Sequence, residues 1–338
     1  GADTYVIDNP GDVIVYINEK AGPDIDTVES SITFVLPGSK FLGIGFIENL
    51  TLTGTDPIDG GGNDFDNTII GNSASNVLIA GKGADKMFGG AGNDVYSVDE
   101  AGDVVVENPN EGIDTVVPGI DYTLGANVEN LSLTDTAVRG TGNELDNLMY
   151  GQFDNETANI LDGKGGIDTM RGFGGDDTYF VDNARDVIIE DLPGTIVDGK
   201  VVTGGGFDSV FASVTYVLSA NVEALYLVGP QAIAGYGNGG ANLITGNEFA
   251  NILDGGAGPD TLVGGQGNDN YVVDDAGDKI TEIAGQGADN VYSFISYVLA
   301  DNLENLQLLG TADLAGTGNG VANILVGNDG ANLLSGLG

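Results

Sequence analysis

The sequence predicts an all-β fold, a parallel β-roll in which one chain winds two facing sheets of short strands. Three observations lead there: a nine-residue period, an abundance of glycine confined to fixed phases of it, and one apolar position per period. From Gly237 the chain reads GNGGANLIT, GNEFANILD, GGAGPDTLV, GGQGNDNYV without interruption, and Gly62 to Ser97 reads GNDFDNTII, GNSASNVLI, AGKGADKMF, GGAGNDVYS. Each block is a six-residue turn followed by a three-residue strand. Glycine at the first and fourth positions permits the crowded or left-handed backbone of a tight turn, which accounts for 57 glycines in 338 residues.

The eighth position of each block is apolar. In the first run it is Ile69, Leu78, Met87 and Tyr96, followed by Val105 in the continuing VDEAGDVVV. One inward side chain per strand makes a core only if strands stack. Two blocks, eighteen residues, close a coil of two strands and two turns, so Ile69, Met87 and Val105 are expected to line one wall and Leu78 and Tyr96 the other. Neighbouring coils then sit about 4.8 Å apart. No stretch with a 3.6-residue period is long enough to predict a helix.

Above the nine-residue period lies a longer one. GADTYVIDNPGD around Tyr5 recurs around Tyr96, Tyr179 and Tyr271, and FIENLTL at 46–52 recurs as NVENLSL, NVEALYL and NLENLQL. Four units follow, 1–88, 89–171, 172–263 and 264–338, with insertions at Pro37–Phe46 and Ile196–Thr203 explaining their unequal lengths. Passages between the nonapeptides, such as Gly112–Leu133, are expected to continue the winding with wider turns.

Ten Lys and Arg against 51 Asp and Glu give a net charge of −41, which repels nucleic acid and anionic lipid and makes cations the natural partners. Without histidine or cysteine there is no imidazole or thiolate metal site, no disulfide and no Ser-His or Cys-His nucleophile. No apolar run approaches a membrane span. Two nucleotide-like motifs fail: GYGNGG at 235–240 lies inside the nonapeptide array with no helix to follow, and the P-loop-like GTIVDGK at 194–200 is followed by Val201 where Ser or Thr must bind magnesium. The chain reads as non-catalytic.

Aspartates concentrate at the sixth position of the blocks: Asp85, Asp94, Asp168, Asp177, Asp260 and Asp269, with Asp3 in the same phase. One coil on, the series continues as Asp103, Asp114, Asp186, Asp208, Asp278 and Asp289, with Asp12 and Asp26 in the first unit. Stacking predicts seven facing pairs: Asp3 with Asp26, Asp85 with Asp103, Asp94 with Asp114, Asp168 with Asp186, Asp177 with Asp208, Asp260 with Asp278 and Asp269 with Asp289. Two carboxylates about 5 Å apart repel by about 3 kcal/mol at an effective dielectric of 20. A hard dication between them removes that cost, and an irregular cage of carboxylate and carbonyl oxygens suits calcium better than magnesium.

The blocks GGAGNDVYS at 89–97, GGAGPDTLV at 255–263 and GGQGNDNYV at 264–272 resemble the nonapeptide of the RTX family (repeats-in-toxin, hemolysin-type calcium-binding). The resemblance implies a β-roll holding calcium between turns, export by a type I pathway, and folding in calcium-rich surroundings outside the cell. It implies as ligands the aspartates named above together with carbonyls of Gly89, Gly90, Gly92, Gly255, Gly256, Gly258, Gly264, Gly265 and Gly267. About seven sites of millimolar to sub-millimolar affinity are expected. Ala80, Lys164 and Phe173 stand where the pattern has glycine, Lys82 and Lys164 bring positive charge near the turns, and the turn at 163–171 is expected to be the weakest.

Three features carry two readings or a milder one. Sixth-position asparagines (Asn67, Asn76, Asn147, Asn159, Asn242, Asn251, Asn323 and Asn332) remove the charge and are expected to form stacked amide ladders. Glu107, Glu190 and Glu282 are auxiliary ligands or surface turn residues, whereas Tyr5, Tyr96, Tyr179 and Tyr271 are core filling. The chain begins and stops inside a block, so a window on a longer array, or copies joined head to tail, is expected. The resulting expectation is a structural roll of a secreted bacterial surface protein (adhesin stalk, surface layer or filament), partnered by calcium and by copies of itself or other surface components. The alternatives are an accessory module of a secreted enzyme or toxin and a carbohydrate-binding module.

Overall fold

The computed structural model describes residues 1–14, 24–38, 47–153, 156–191, 196–197, 200–201 and 205–337. They form two compact units, Gly1–Phe153 with Gly163–Thr169, and Asp154–Asp162 with Met170–Gly338. Both are parallel β-solenoids, and no helix occurs among the described residues.

In the first unit, one sheet runs through Thr4–Ile7, Thr27–Ser30, Asn49–Leu52, Thr68–Ile70, Lys86–Phe88 and Val104–Val106. Facing it is a sheet of Phe34–Val35, Gly60–Gly61, Val77–Ile79, Val95–Val98, Thr115–Pro118, Asn130–Ser132 and Leu148–Tyr150. Consecutive strands alternate between sheets, so every hydrogen-bonded neighbour lies one whole coil away. The eighteen-residue register pairs Ile69 with Met87, Met87 with Val105, and Leu78 with Tyr96, as the apolar phase requires. The second unit repeats it: Ile244 pairs with Leu262, Leu262 with Ile280, and Leu253 with Tyr271. These inward side chains are buried, Tyr96, Tyr179 and Tyr271 completely, so a three-residue strand such as Thr68–Ile70 contributes one side chain, and a four-residue strand such as Val95–Val98 two, to a core that exists only by stacking.

Between the nonapeptide runs the winding continues, but the turns are not uniformly wider. Thr115 lies twenty residues from its partner Val95, whereas Asn130 lies only fifteen from its partner Thr115. Asn127 shortens that coil by adopting φ 64, a left-handed conformation asparagine tolerates. Asn221 and Asn302, at φ 66 and 67, do the same in the second unit. The insertion at Ile196–Thr203 contains an antiparallel ladder, Ile196–Val197 against Lys200–Val201, the sole departure from parallel pairing among the described strands. Its residues 198–199 and 202–203, and residues 39–46 of the Pro37–Phe46 insertion, lie outside the described residues. Lys164 and Phe173, where the repeat has glycine, take φ 63 and 80, a strained backbone for side chains of that size.

Candidate metal centre

Along the turn rows, runs of two or three acids on successive coils are linked in one direction by the backbone. The amide N–H of a sixth-position residue donates to the carboxylate of the residue stacked one coil further on. Asn76 donates to Asp94 Oδ1 at 2.7 Å, Asp94 to Asp114 Oδ1 at 2.8 Å, and Asp114 to Glu129 Oε2 at 2.9 Å. In the second unit Asn251 donates to Asp269 at 2.7 Å, Asp269 to Asp289 at 2.9 Å, and Asp289 to Glu304 at 2.9 Å. Asn67, Asp85 and Asp103 are joined in the same way, as are Asn242, Asp260 and Asp278. Asn159, Asp177, Asp208 and Glu223 form a further chain, and Asp3, Asp26 and Glu48 another. These bonds bring together Asp3 with Asp26, Asp85 with Asp103, Asp94 with Asp114, Asp177 with Asp208, Asp260 with Asp278 and Asp269 with Asp289. Asp168 is buried and accepts from the Asn147 N–H at 2.8 Å, and Asp186 accepts from the Asn183 N–H at 3.2 Å.

The two members of a pair are not equivalent. Asp103 accepts from the N–H groups of Asp99 and Glu100 at 3.2 and 3.1 Å through Oδ2, which closes its own turn, and from Asp85 of the preceding coil at 3.0 Å through Oδ1, so both of its oxygens have donors. Asp278 does the same with Asp274, Asp275 and Asp260. Exposed Asp12 takes the N–H groups of Asp8 and Asn9.

The glycines named with the aspartates shape this space. Gly90, Gly92, Gly256, Gly258, Gly265 and Gly267 all have positive φ. At Gly89 and Gly264 any Cβ would overlap the phenol oxygen of the following tyrosine and Oδ2 of Asp94 or Asp269, and at Gly255 it would overlap Oδ2 of Asp260. The carbonyls of Gly89, Gly255 and Gly264 lie over Gly71, Gly237 and Gly246 of the preceding coil.

The asparagines correct one expectation. Asn67 and Asn76 are nine residues apart and so lie on opposite turn rows, which prevents a stacked amide ladder. Instead each amide oxygen accepts a backbone N–H of its own block, from Asn63 and Asn72 at 2.7 and 2.8 Å. Each amide nitrogen donates to a carbonyl of the preceding coil, Ile47 at 3.1 Å and Ile58 at 2.5 Å. Asparagine thus supplies from its own side chain the donor that an aspartate lacks.

What the aspartates lack is visible as buried oxygens without a partner: Oδ2 of Asp85, Asp94, Asp260 and Asp269, and Oε2 of Glu107 and Glu282. An ionised oxygen out of water with no donor is costly, and with 51 acids against ten bases the chain cannot supply enough cations itself. The orphaned set is wholly hard oxygen and fits calcium. The glutamates are not surface turn residues: Glu107, Glu190 and Glu282 are buried and join the aspartates as Asp94–Glu107–Asp114, Asp177–Glu190–Asp208 and Asp269–Glu282–Asp289, each with one oxygen per residue within 4.8 Å of the others. The phenols of Tyr96, Tyr179 and Tyr271 donate to Oε1 of these glutamates, so the tyrosines fill the core and also anchor an acid.

A family model, the RTX calcium-binding nonapeptide repeat, matches in four copies over residues 54–96, 153–188 and 236–271. Over those residues the chain carries RTX calcium-binding repeats. It is also similar to the endo-1,3-1,4-beta-glycanase ExsH of Rhizobium meliloti (strain 1021), 37% identical over 101 residues, which is 29% of this chain. The match covers 19% of that protein's length.

In the metal-free RTX columns, desolvation pushes Asp85 and Glu107 up to about 7 and Asp94, Asp260 and Asp269 up to about 6. Neighbouring carboxylates add to the rise, and backbone or phenol hydrogen bonds hold it partly down. These acids bind protons more tightly folded than unfolded, so the metal-free fold gains stability below the ordinary carboxylate range and loses it as pH rises through about 6–7. In chelator, the far-UV β signal is expected to be stronger at pH 5 than at pH 8. With calcium the order reverses, because protons compete for the ligands.

Sequence reasoning did not include Glu48, Glu129, Glu223 and Glu304, which extend the columns by one coil. Their signal was present in the recurring E-N-L and E-A-L of the four long units. It also missed Asn127, Asn221 and Asn302, whose side chains donate to the backbone carbonyls of Glu107, Glu190 and Glu282 at 2.9, 3.1 and 3.0 Å.

Proposed function

We propose that the chain is a calcium-dependent structural β-roll of a secreted bacterial cell-surface or extracellular protein, an adhesin stalk, surface layer or filament. It stays unfolded at cytosolic calcium and folds on the ion after type I export. The observation that carries this reading is the set of buried aspartate oxygens left without donors in turn after turn. Such a column is a poor fold in low calcium and a good one in high calcium, because ion binding becomes folding free energy. The aspartates and glycine carbonyls named from the sequence are its proposed ligands, and no residue of the chain is assigned a catalytic role.

A second reading, a non-catalytic calcium-binding module of a larger secreted enzyme, is favoured by the partial match to a glycanase. Limited proteolysis across a calcium series tests what both readings share: cleavage throughout at sub-micromolar calcium and resistance at millimolar calcium. Equal resistance at both ends rejects them. The complete gene product separates them, since hydrolysis of a 1,3-1,4-β-linked glycan by the full protein but not by this chain selects the module.

A further inference from the structure

The three Asp–Glu–Asp clusters differ from the aspartate-only pairs in a way that the nonapeptide pattern does not encode. In the Asp85–Asp103 pair, Asp103 has both oxygens on backbone N–H groups, which leaves Asp85 Oδ2 as the buried oxygen without a donor. In the Asp94–Glu107–Asp114 cluster two of the three acids carry such an oxygen, Asp94 Oδ2 and Glu107 Oε2, as do Asp269 and Glu282 in theirs, and one oxygen of each acid lies within 4.8 Å of the others. Glu107 and Glu282 are only 5% and 9% exposed, so neither oxygen has water as an alternative.

The tyrosine phenol occupies the other oxygen of each glutamate, and an asparagine of the next coil holds the same residue's carbonyl. Both bonds hold the glutamate in place beside its aspartates. Ligand oxygens within 4.8 Å of one another are no further apart than about twice a 2.3–2.6 Å calcium–oxygen bond, so one ion can reach all three acids. The glutamate follows its aspartate by thirteen residues in all three clusters, even though an insertion lengthens the second cluster before Asp208. The corresponding position of the first unit is Tyr16, which lies outside the described residues.

We propose that these clusters are calcium sites of a second kind, in which Glu107, Glu190 and Glu282 are direct ligands and Tyr96, Tyr179 and Tyr271 position them. They fill before the aspartate-only sites. The proposal rests on the calcium reading above. Affinity in oxygen cages rises with the number of charged ligands and with rigidity, and each cluster brings three carboxylates in a pre-oriented frame where a pair brings two.

The test is a calcium titration by calorimetry, with terbium as a second probe because a phenol beside a ligand sensitises its emission. Wild type is expected to take up three ions tightly before the weaker class. Glu107→Gln and Glu282→Gln are each expected to cut the tight class to two and weaken the altered site roughly a hundredfold. Tyr271→Phe should cost about a third of the tyrosine-excited terbium emission while its tight class stays at three. Three tight ions retained in both glutamine variants, or terbium emission unchanged in them, overturns the proposal while leaving calcium-dependent folding intact. A wild type that binds no calcium overturns both.

Discussion

Removal of calcium is expected to abolish most of the β structure at neutral pH and to lower the melting temperature of whatever remains by more than about 15 °C. A site held at a hundred times its dissociation constant contributes about 2.7 kcal/mol, so the three clustered sites alone supply about 8 kcal/mol. That equals the whole stability of many domains, and each kcal/mol moves the melting point of a chain segment of this size by about 2–4 °C. The opposing term grows at the same time. Without the ion, Asp94, Glu107 and Asp114 face one another in a buried space, and burial already drives Glu107 up to about 7 and Asp94 to about 6. Circular dichroism and calorimetry with calcium, with chelator and with magnesium check this. Magnesium is expected to restore less, since it demands a regular octahedron that a column of carboxylates and carbonyls does not provide. An unchanged spectrum and melting point after chelation would remove the basis of the functional reading.

The winding was legible in the sequence because the nine-residue period fixes both the turn and the single inward side chain. Ile69, Met87 and Val105 pair as the eighteen-residue coil requires. The aspartate pairs were legible for the same reason. Less visible was the division of labour within a pair: Asp85 and Asp103 look alike in sequence, but the turn after Asp99 brings two N–H groups onto Asp103 and none onto Asp85 Oδ2. Glu107 was ambiguous because it lies outside the nonapeptide phase. Only the twenty-residue coil from Val95 to Thr115 shows that it turns inward beside Tyr96. The asparagine reading failed on geometry that the period itself supplies, since residues nine apart never stack in a two-sheet coil.

Replacing Asp94 and Asp269 together by asparagine is expected to reverse sign with calcium. In chelator the variant should be the more stable protein. Each change removes a buried oxygen that has no donor and keeps the one that accepts from Asn76 or Asn251. It also adds an amide that can donate to the preceding coil, as Asn76 does to the Ile58 carbonyl at 2.5 Å. Relief of an uncompensated buried acid is worth about 1–3 kcal/mol per site. In millimolar calcium the same variant should be the weaker protein by up to about 3 kcal/mol, because two sites each lose a charged ligand and with it much of the about 2.7 kcal/mol that a well-filled site contributes, which outweighs the relief of about 1 kcal/mol per site at the lower end of that range. Melting curves of wild type and variant in both buffers measure the crossing. A variant less stable in chelator as well would mean that the aspartates hold the turns by themselves and that the buried oxygens are not waiting for an ion. A variant equal to wild type in calcium would mean that the ion sits elsewhere. Only the crossing requires that the same two oxygens are a burden in one solution and ligands in the other.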